Sequence, residues 1–255
     1  MKRLIEKLAP WLLFAAAIGA WEITVRVREI APYILPAPSV IAATAISDWP
    51  LLWAALLVTL RTTFLSLLLA SFGGLALALL FARWRWVERS LFPFAVVLQV
   101  TPIIAIAPLL LVYLETDAAV LTCAFIVAFF PVLSNSVLGL RSVDRNLVEL
   151  YELYGASRWQ QLRLLRLPAA LPYFLGGLRI GGGLALIGAI VAEIAAGSAG
   201  KGAGLAFRII EAAYRLNVPR MFAALALISL TGIAIYVTFS LVSRLLLARW
   251  HESEI

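Results

Sequence analysis

The sequence has very few of the residues that usually carry out chemistry. It contains one cysteine, Cys123, and one histidine, His251, among 255 residues. An intrachain disulfide is therefore impossible, and a histidine-based metal site or a Ser-His-Asp triad lacks its components. Charged residues make up only 14% of the chain, so a carrier driven by protons or sodium ions would be short of the intramembrane carboxylates it needs. These shortages leave no metal site and no catalytic site to predict.

Apolar residues dominate what remains. The chain is 63% hydrophobic, far above an ordinary soluble domain. The apolar residues occur in long runs, which indicate an all-α, multi-pass membrane protein. The net charge is +7, but the basic residues are scattered between apolar runs rather than gathered on one face. That distribution argues against a nucleic-acid partner.

The hydropathy pattern predicts one transmembrane domain over residues 1–255, with a core over about 52–248 and about six transmembrane helices. The spans are predicted at about 11–27, 52–82, 91–114, 118–140, 172–194 and 221–248. Ser39 is expected to cap a short interfacial helix after the first span. Pro172 is expected to stand in the first turn of the fifth span.

The distribution of lysine and arginine predicts that the N- and C-termini are both cytoplasmic. Few of the 21 basic residues then fall on the outer side. Those predicted outside are Arg26, Arg28, Lys201, Arg208, Arg215 and Arg220, while Arg61 and Arg179 fall within spans. An excess of basic residues on the inner side is the usual pattern for such proteins.

Residues 141–171 form the longest polar interval between two apolar blocks. Asp144 can cap a short helix, and Gly155 can end that helix in a left-handed conformation. Ser157 and Gln160 have the spacing of a capping box that opens a second helix. The interval is therefore predicted to form a bent helical hairpin, for which the simplest alternative role is an amphipathic helix pair lying on the bilayer.

The spacing within this interval resembles the cytoplasmic loop of permeases from ATP-binding-cassette (ABC) importers. Glu149 stands six residues before Gly155, and nine residues later comes Leu165-x-Leu167-Pro168, in which Pro168 is expected to end the second helix. In that family the loop forms coupling helices that dock in a groove of the ATPase subunit, although bulky residues here replace the usual small pair after the glutamate. The resemblance implies a docking role for Glu149, Leu150, Tyr151, Gly155, Ala156, Ser157, Leu165, Leu167 and Pro168.

The turn Leu35-Pro36-Ala37-Pro38-Ser39 resembles the entry of the nitrate/sulfonate/taurine group of these permeases. The two resemblances imply a type I ABC importer permease, a non-enzymatic subunit that forms the path for a small solute in the bacterial inner membrane. They imply as partners a second copy of the chain, two ABC ATPase subunits, a periplasmic or lipid-anchored solute-binding protein, and membrane lipid. ATP and Mg would be bound by the ATPase, with no cofactor in this chain. The solute is left open.

In the third predicted span, Pro102 and Pro108 each remove a backbone donor at membrane depth. Breaks of this kind are tolerated where the freed carbonyls face protein or a watery cavity. The simpler alternative is a kinked packing helix, but the resemblance implies that this span lines the translocation path. The predicted pathway residues are Gln99, Thr101, Pro102, Pro108, Asn135 and Ser136.

The fifth span carries glycines and two charged residues. Gly177, Gly181 and Gly182 are expected to allow close helix packing, with the second copy of the chain as one candidate partner. Arg179 and Glu193 on the same span and Glu22 on the first have roles that the sequence leaves open.

Two other classes of protein are alternatives, a stand-alone secondary transporter and a membrane-embedded enzyme. The hairpin and the scarcity of intramembrane acids argue against the first, and the missing catalytic site argues against the second. The stretch GSAGKGAG lacks the residue order of a phosphate-binding loop, so it does not predict an ATPase in this chain.

Overall fold

The computed structural model describes residues 2–197 and 202–248, and within these ranges it contains helices and no strand. The helices are α1 (Lys2–Val27), α2 (Pro38–Ser47), α3 (Trp49–Arg83), α4 (Arg85–Val100), α5 (Ile103–Tyr113), α6 (Thr116–Arg141), α7 (Arg145–Leu153), α8 (Arg158–Gln161), a π-helical turn (Leu162–Arg166), α9 (Leu167–Ala196), α10 (Leu205–Tyr214) and α11 (Val218–Leu247). Lys201 and His251 lie outside the described residues.

The predicted number of membrane spans agrees with the structure. Five helices in the described ranges are long and apolar enough to cross a bilayer, and α4 with α5 makes a sixth span if this bent pair is counted as one. The second, fourth and sixth spans correspond to α3, α6 and α11 within a few residues. The all-α, polytopic architecture is therefore confirmed.

The centre of the bundle is the contact between α6 and α9, which small residues bring close together. A Cβ atom added at Gly139 of α6 would lie 2.8 Å from the Cα of Ala170 on α9. One added at Gly188 of α9 would lie 2.9 Å from the Cα of Ala124 on α6. Close backbone approach of this kind replaces the hydrophobic driving force that is missing between helices in lipid.

The three glycines singled out in the sequence make their close approaches inside this chain. Gly177 and Gly181 face α6, and Gly182 faces α11. Among the described residues, these close approaches are therefore made to helices of the same chain.

Replacing Gly182 with valine should destabilise the bundle by about 1–3 kcal/mol, the usual cost of overpacking. A Cβ at this position would lie 2.9 Å from Cγ2 of Ile235 and 3.2 Å from the ring of Phe239. The adjacent Gly183 has nothing within 4 Å of its added Cβ, so Gly183→Val is a matched control in the same helix. Thermal unfolding in detergent measures both variants, and equal melting temperatures would contradict the packing account.

The predicted Ser39 cap is wrong, because Glu22 of α1 performs that role. Helix α2 begins at Pro38, so Ala37 is the N-cap residue and Ser39 already lies in the first turn. The Ser39 backbone N–H donates to the Glu22 carboxylate at 3.0 Å, and the Ser39 hydroxyl donates at 2.7 Å. A carboxylate at a helix N-terminus satisfies free N–H groups and is stabilised by the helix dipole. Glu22 thus fastens the first span to the interfacial helix.

The third predicted span is broken at Pro102 and not at Pro108. Helices α4 and α5 meet at an angle of 101°, and Thr101 before the proline is extended, with φ −73° and ψ 124°. Proline disfavours the helical conformation in the residue before it, which explains the break. The predicted second break is wrong, because α5 runs unbroken through Pro108. One lost hydrogen bond there does not stop the helix.

Candidate coupling hairpin and membrane-embedded site

The first arm of the hairpin is α7, and its two ends are built as the sequence predicts. The Asp144 carboxylate accepts a hydrogen bond from the Asn146 backbone N–H at 2.8 Å. Gly155 follows the helix with φ 68°, a left-handed conformation that glycine adopts without strain. Beside it the Ala156 N–H donates to the Tyr151 carbonyl at 2.9 Å, which closes the turn.

The second arm opens with the predicted capping box. The Ser157 N–H donates to the Gln160 side chain at 2.7 Å, and the Gln160 N–H donates to the Ser157 hydroxyl at 3.3 Å. Two free N–H groups are satisfied by this reciprocal pair.

The prediction that Pro168 ends the second arm is wrong. Leu167 is helical, with φ −65° and ψ −45°, and its N–H donates to the Leu162 carbonyl five residues back. In a regular α-helix the proline ring would collide with the Leu164 carbonyl and leave it without a donor. The wider π turn removes this conflict, and such turns are frequent at functional sites.

The second arm and the fifth span are consequently one rod, Arg158–Ala196, of 39 residues. Pro172 lies inside α9 and does not open it, so the predicted start of the fifth span is also wrong. The motif residues Leu165, Leu167 and Pro168 are half-buried in this rod, and Leu167 packs against the core that contains Leu133 and Phe81. They hold the hairpin in place.

The tip of the hairpin presents apolar side chains to the outside of the chain. Leu153 and Tyr154 are each 84% exposed, and Trp159 is 66% exposed. The motif residues Glu149 and Leu150 lie on the same arm and are exposed, with Glu149 paired to Arg145 at 2.9 Å. Large apolar residues exposed together on a helix pair indicate a surface for another protein or for the membrane.

Gln161 contributes to the hairpin in a way that sequence reasoning missed. Its side chain is buried and its Nε2 donates to the Ala156 carbonyl at 3.4 Å, joining the second arm to the turn. It also lines a cavity of about 480 Å³ between the hairpin and the end of α3, together with Arg83, Glu152 and Arg166. The sequence signal for this role is that a glutamine, Gln161, occupies a helical position that faces the apolar side.

The predicted pathway residues occupy two different environments. Gln99 is exposed at the end of α4, and Thr101 is half-buried at the bend, where its hydroxyl donates to the Val97 carbonyl at 2.7 Å. Asn135 and Ser136 of α6 donate to carbonyls of their own helix at 2.8 and 2.6 Å. Ser136 is fully buried within the bundle.

The opposite end of the bundle contains a buried polar junction around Glu193. The Glu193 carboxylate accepts from the Thr59 hydroxyl at 2.8 Å and from the Ala206 N–H at 3.1 Å, and the Thr59 oxygen accepts from the Leu205 N–H at 2.9 Å. These two N–H groups begin α10, so α9 and α3 together cap that helix. A Cβ at Gly204 would lie 2.2 Å from the carboxylate, which leaves room only for glycine.

Ion pairs stabilise α10 internally and join the start of α11 to the start of α3. Arg208 and Arg215 both pair with Glu211, at 2.7 and 3.0 Å, and the hydrogen bond from Arg208 is the main cause that lowers the pKa of Glu211. Arg220 pairs with Asp48, just before α3, at 2.5 Å. Helix α10 is thus anchored to the bundle through its N-terminus, and α11 through Arg220.

An apolar helix bundle with a capped helical hairpin at one end and a capped amphipathic helix at the other is the architecture of a polytopic membrane protein. Comparison with known proteins makes this specific. The chain belongs to the family described as binding-protein-dependent transport system inner membrane component, which matches residues 70–252.

Curated relatives and a solved structure agree with that assignment. The chain is 36% identical to the riboflavin transport system permease protein RibX of Chloroflexus aurantiacus, over 91% of this chain and 86% of the relative. It is 32% identical to the formylaminopyrimidine transport permease protein ThiX of Halalkalibacterium halodurans, over the whole of both chains. A solved structure titled "Crystal structure of an amino acid ABC transporter with histidines" shares the fold, with a TM-score of 0.64, 22% identity and coverage of 81% of this chain and 97% of that one.

The function follows at this level. The chain is the permease component of an ABC transporter. The family and the relatives favour this class over a stand-alone secondary transporter. The relatives are transport permeases and not enzymes, so the membrane-enzyme alternative is set aside.

Proposed function

We propose that this permease imports a small solute across the bacterial inner membrane and receives its energy through the hairpin 141–171. The supporting observation is the exposed apolar tip formed by Leu153, Tyr154 and Trp159, held by two capped helix ends. A separate ATPase subunit docks on this tip and binds ATP and Mg. The hairpin then lies on the cytoplasmic side, together with both termini.

The rod Arg158–Ala196 carries the motion of the hairpin across the membrane. At 1.5 Å per residue its 39 residues span about 58 Å. One end carries the docking tip and the other carries Glu193, which holds α10. A displacement of the tip therefore reaches α10 through one continuous helical element. The π turn Leu162–Arg166 is the position at which this element bends during that displacement.

The working transporter contains two copies of this chain, two ATPase subunits and a solute-binding protein on the outer side, all within membrane lipid. No nucleic acid takes part. The family description, a binding-protein-dependent transport component, supports the binding-protein partner.

The solute is a neutral, planar nitrogen heterocycle. This proposal follows from the substrates named for the relatives at 36% and 32% identity, riboflavin and formylaminopyrimidine. Permeases named for aliphatic sulfonates are 30% and 29% identical to this chain, so an anionic solute is the second candidate.

The bend between α4 and α5 lies beside the path, with Gln99 and Thr101 near a gate. Cysteines at these positions should react with a polar, membrane-impermeant thiol reagent, and the extent of labelling should change when ATP is supplied to the reconstituted complex. The native Cys123 is fully buried and gives little background.

Phe72→Cys is the control for this labelling, because Phe72 is 69% exposed on an apolar helix face and should stay unlabelled in lipid. If cysteines at positions 99 and 101 remain unlabelled in every nucleotide state, the span is a kinked packing helix and does not line the path.

A further inference from the structure

Helix α3 carries an arginine well inside its apolar length. Arg61 is the only charged residue between Trp49 and Arg83, and it is exposed. Among the described residues it forms no ion pair. An ionised group at membrane depth is costly unless it faces water or a partner, so it marks a functional position.

Arg61 lines a cavity of about 400 Å³ between α3 and the start of α6. Thr62 and Asp117 supply the other polar groups, and Val58, Leu65 and Leu121 supply apolar walls. This combination of apolar surface with a few polar groups, at this volume, is typical of small-molecule sites.

The two charges in the cavity are of opposite sign but are not paired with each other. In this chain Asp48 and Arg220 approach to 2.5 Å when they pair, whereas Arg61 and Asp117 form no contact within 4.0 Å among the described ion pairs. Both side chains line the same cavity, so one molecule bound there can contact both.

The cavity is held in shape by the adjacent face of α3. Thr59, Thr63 and Ser66 on that face are buried, and Thr59 is tied to Glu193 at 2.8 Å. The site lies at the end of the bundle opposite the hairpin, which is the end a solute reaches first during import.

We propose that this cavity is a selective solute site within the permease, in which Arg61 donates to a carbonyl or ring acceptor and Asp117 accepts from a ring N–H of a neutral heterocycle. The inference rests on the proposed solute class. The Asp117 carboxylate disfavours sulfonate-type anions, and the Arg61 guanidinium disfavours cations. Thr62 can act as donor or acceptor and completes the polar edge.

The test uses the complete transporter with its ATPase and binding protein in proteoliposomes. Uptake of riboflavin, of formylaminopyrimidine and of ethanesulfonate is measured for the wild type and for Arg61→Gln, Arg61→Lys and Asp117→Asn. Arg28→Gln removes an arginine outside this cavity and serves as the matched control. Membrane levels and basal ATP hydrolysis of each variant verify assembly.

Arg61→Gln should lower heterocycle uptake about tenfold or more, as expected for a lost charged hydrogen bond, and Arg61→Lys should restore part of it. Asp117→Asn should also lower heterocycle uptake and raise ethanesulfonate uptake relative to riboflavin. The near-isosteric Asp117→Asn variant keeps the test valid if Arg61→Gln fails to assemble.

The two proposals fail in different ways. A wild type that imports a heterocycle, with unchanged uptake and unchanged solute preference in the Arg61 and Asp117 variants, overturns this site and keeps the proposed function. A wild type that imports ethanesulfonate and neither heterocycle overturns the proposed solute class, and this inference with it.

Discussion

Replacing Gly155 with proline is expected to abolish ATP-dependent uptake while the permease still reaches the membrane. Gly155 has φ 68°, whereas proline fixes φ near −65°. The substitution also removes the Gly155 N–H, which donates to the Glu152 carbonyl at 3.0 Å. The turn between the two arms would be lost at a cost of about 3 kcal/mol or more, and with it the shape of the docking tip. Uptake into proteoliposomes measures the effect.

Gly155→Asn is the matched control, because asparagine tolerates the left-handed conformation and a Cβ at this position has nothing within 4 Å. It should keep most of the uptake. Normal uptake by the proline variant would show that the shape of the turn is irrelevant to coupling.

Truncating Glu193 to alanine is expected to release α10 and to cause a comparable loss of uptake. Among the described residues, Glu193 is the acceptor for the Ala206 N–H and for the Thr59 hydroxyl, and the change removes it. Each buried donor left unpaired costs about 1–3 kcal/mol, so the loss of two partners should destabilise the fold by about 2–6 kcal/mol. Hydrogen exchange of the α10 amides and thermal unfolding in detergent measure it.

Ile194→Ala tests whether truncation alone has this effect, since Ile194 is the next residue of α9 and is 43% exposed. Its α10 amides should exchange as slowly as those of the wild type. If the α10 amides exchange as slowly in the Glu193→Ala variant as in the wild type, Glu193 does not cap α10.

The features that sequence reasoning predicted correctly depend on neighbours in the chain. Asp144 reaches an N–H two residues away, and Ser157 and Gln160 bond across three residues. Gly155 needs only its own backbone conformation. The apolar lengths of the spans are equally local, which explains why their number could be predicted.

The features that were missed depend on partners far away in sequence. Thr59 and Glu193 are separated by 134 residues, and Ser39 is bonded by Glu22, 17 residues earlier. Neither pairing leaves a local pattern. The partners of the α9 glycines could not be predicted for the same reason. Small residues permit close approach of any helix and do not specify which one.

Proline was interpreted too strictly. Pro102 breaks its helix because the preceding Thr101 is free to become extended. Pro168 follows a π turn and Pro108 lies within a continuous helix, so in both cases the chain loses one hydrogen bond and remains helical. A proline in an apolar span therefore predicts a weak point, and the surrounding contacts decide whether the helix breaks.

Cross-linking from the hairpin tip tests docking on the ATPase most directly. A single cysteine is placed at Tyr154, which is 84% exposed, in a chain whose buried Cys123 is replaced by alanine. Tyr214→Cys, at an 87% exposed position on α10, is the control at the opposite end. In the purified transporter a short bifunctional reagent should link position 154 to the ATPase subunit and leave position 214 unlinked. An ATPase that links to position 214, or to neither position, would contradict the account.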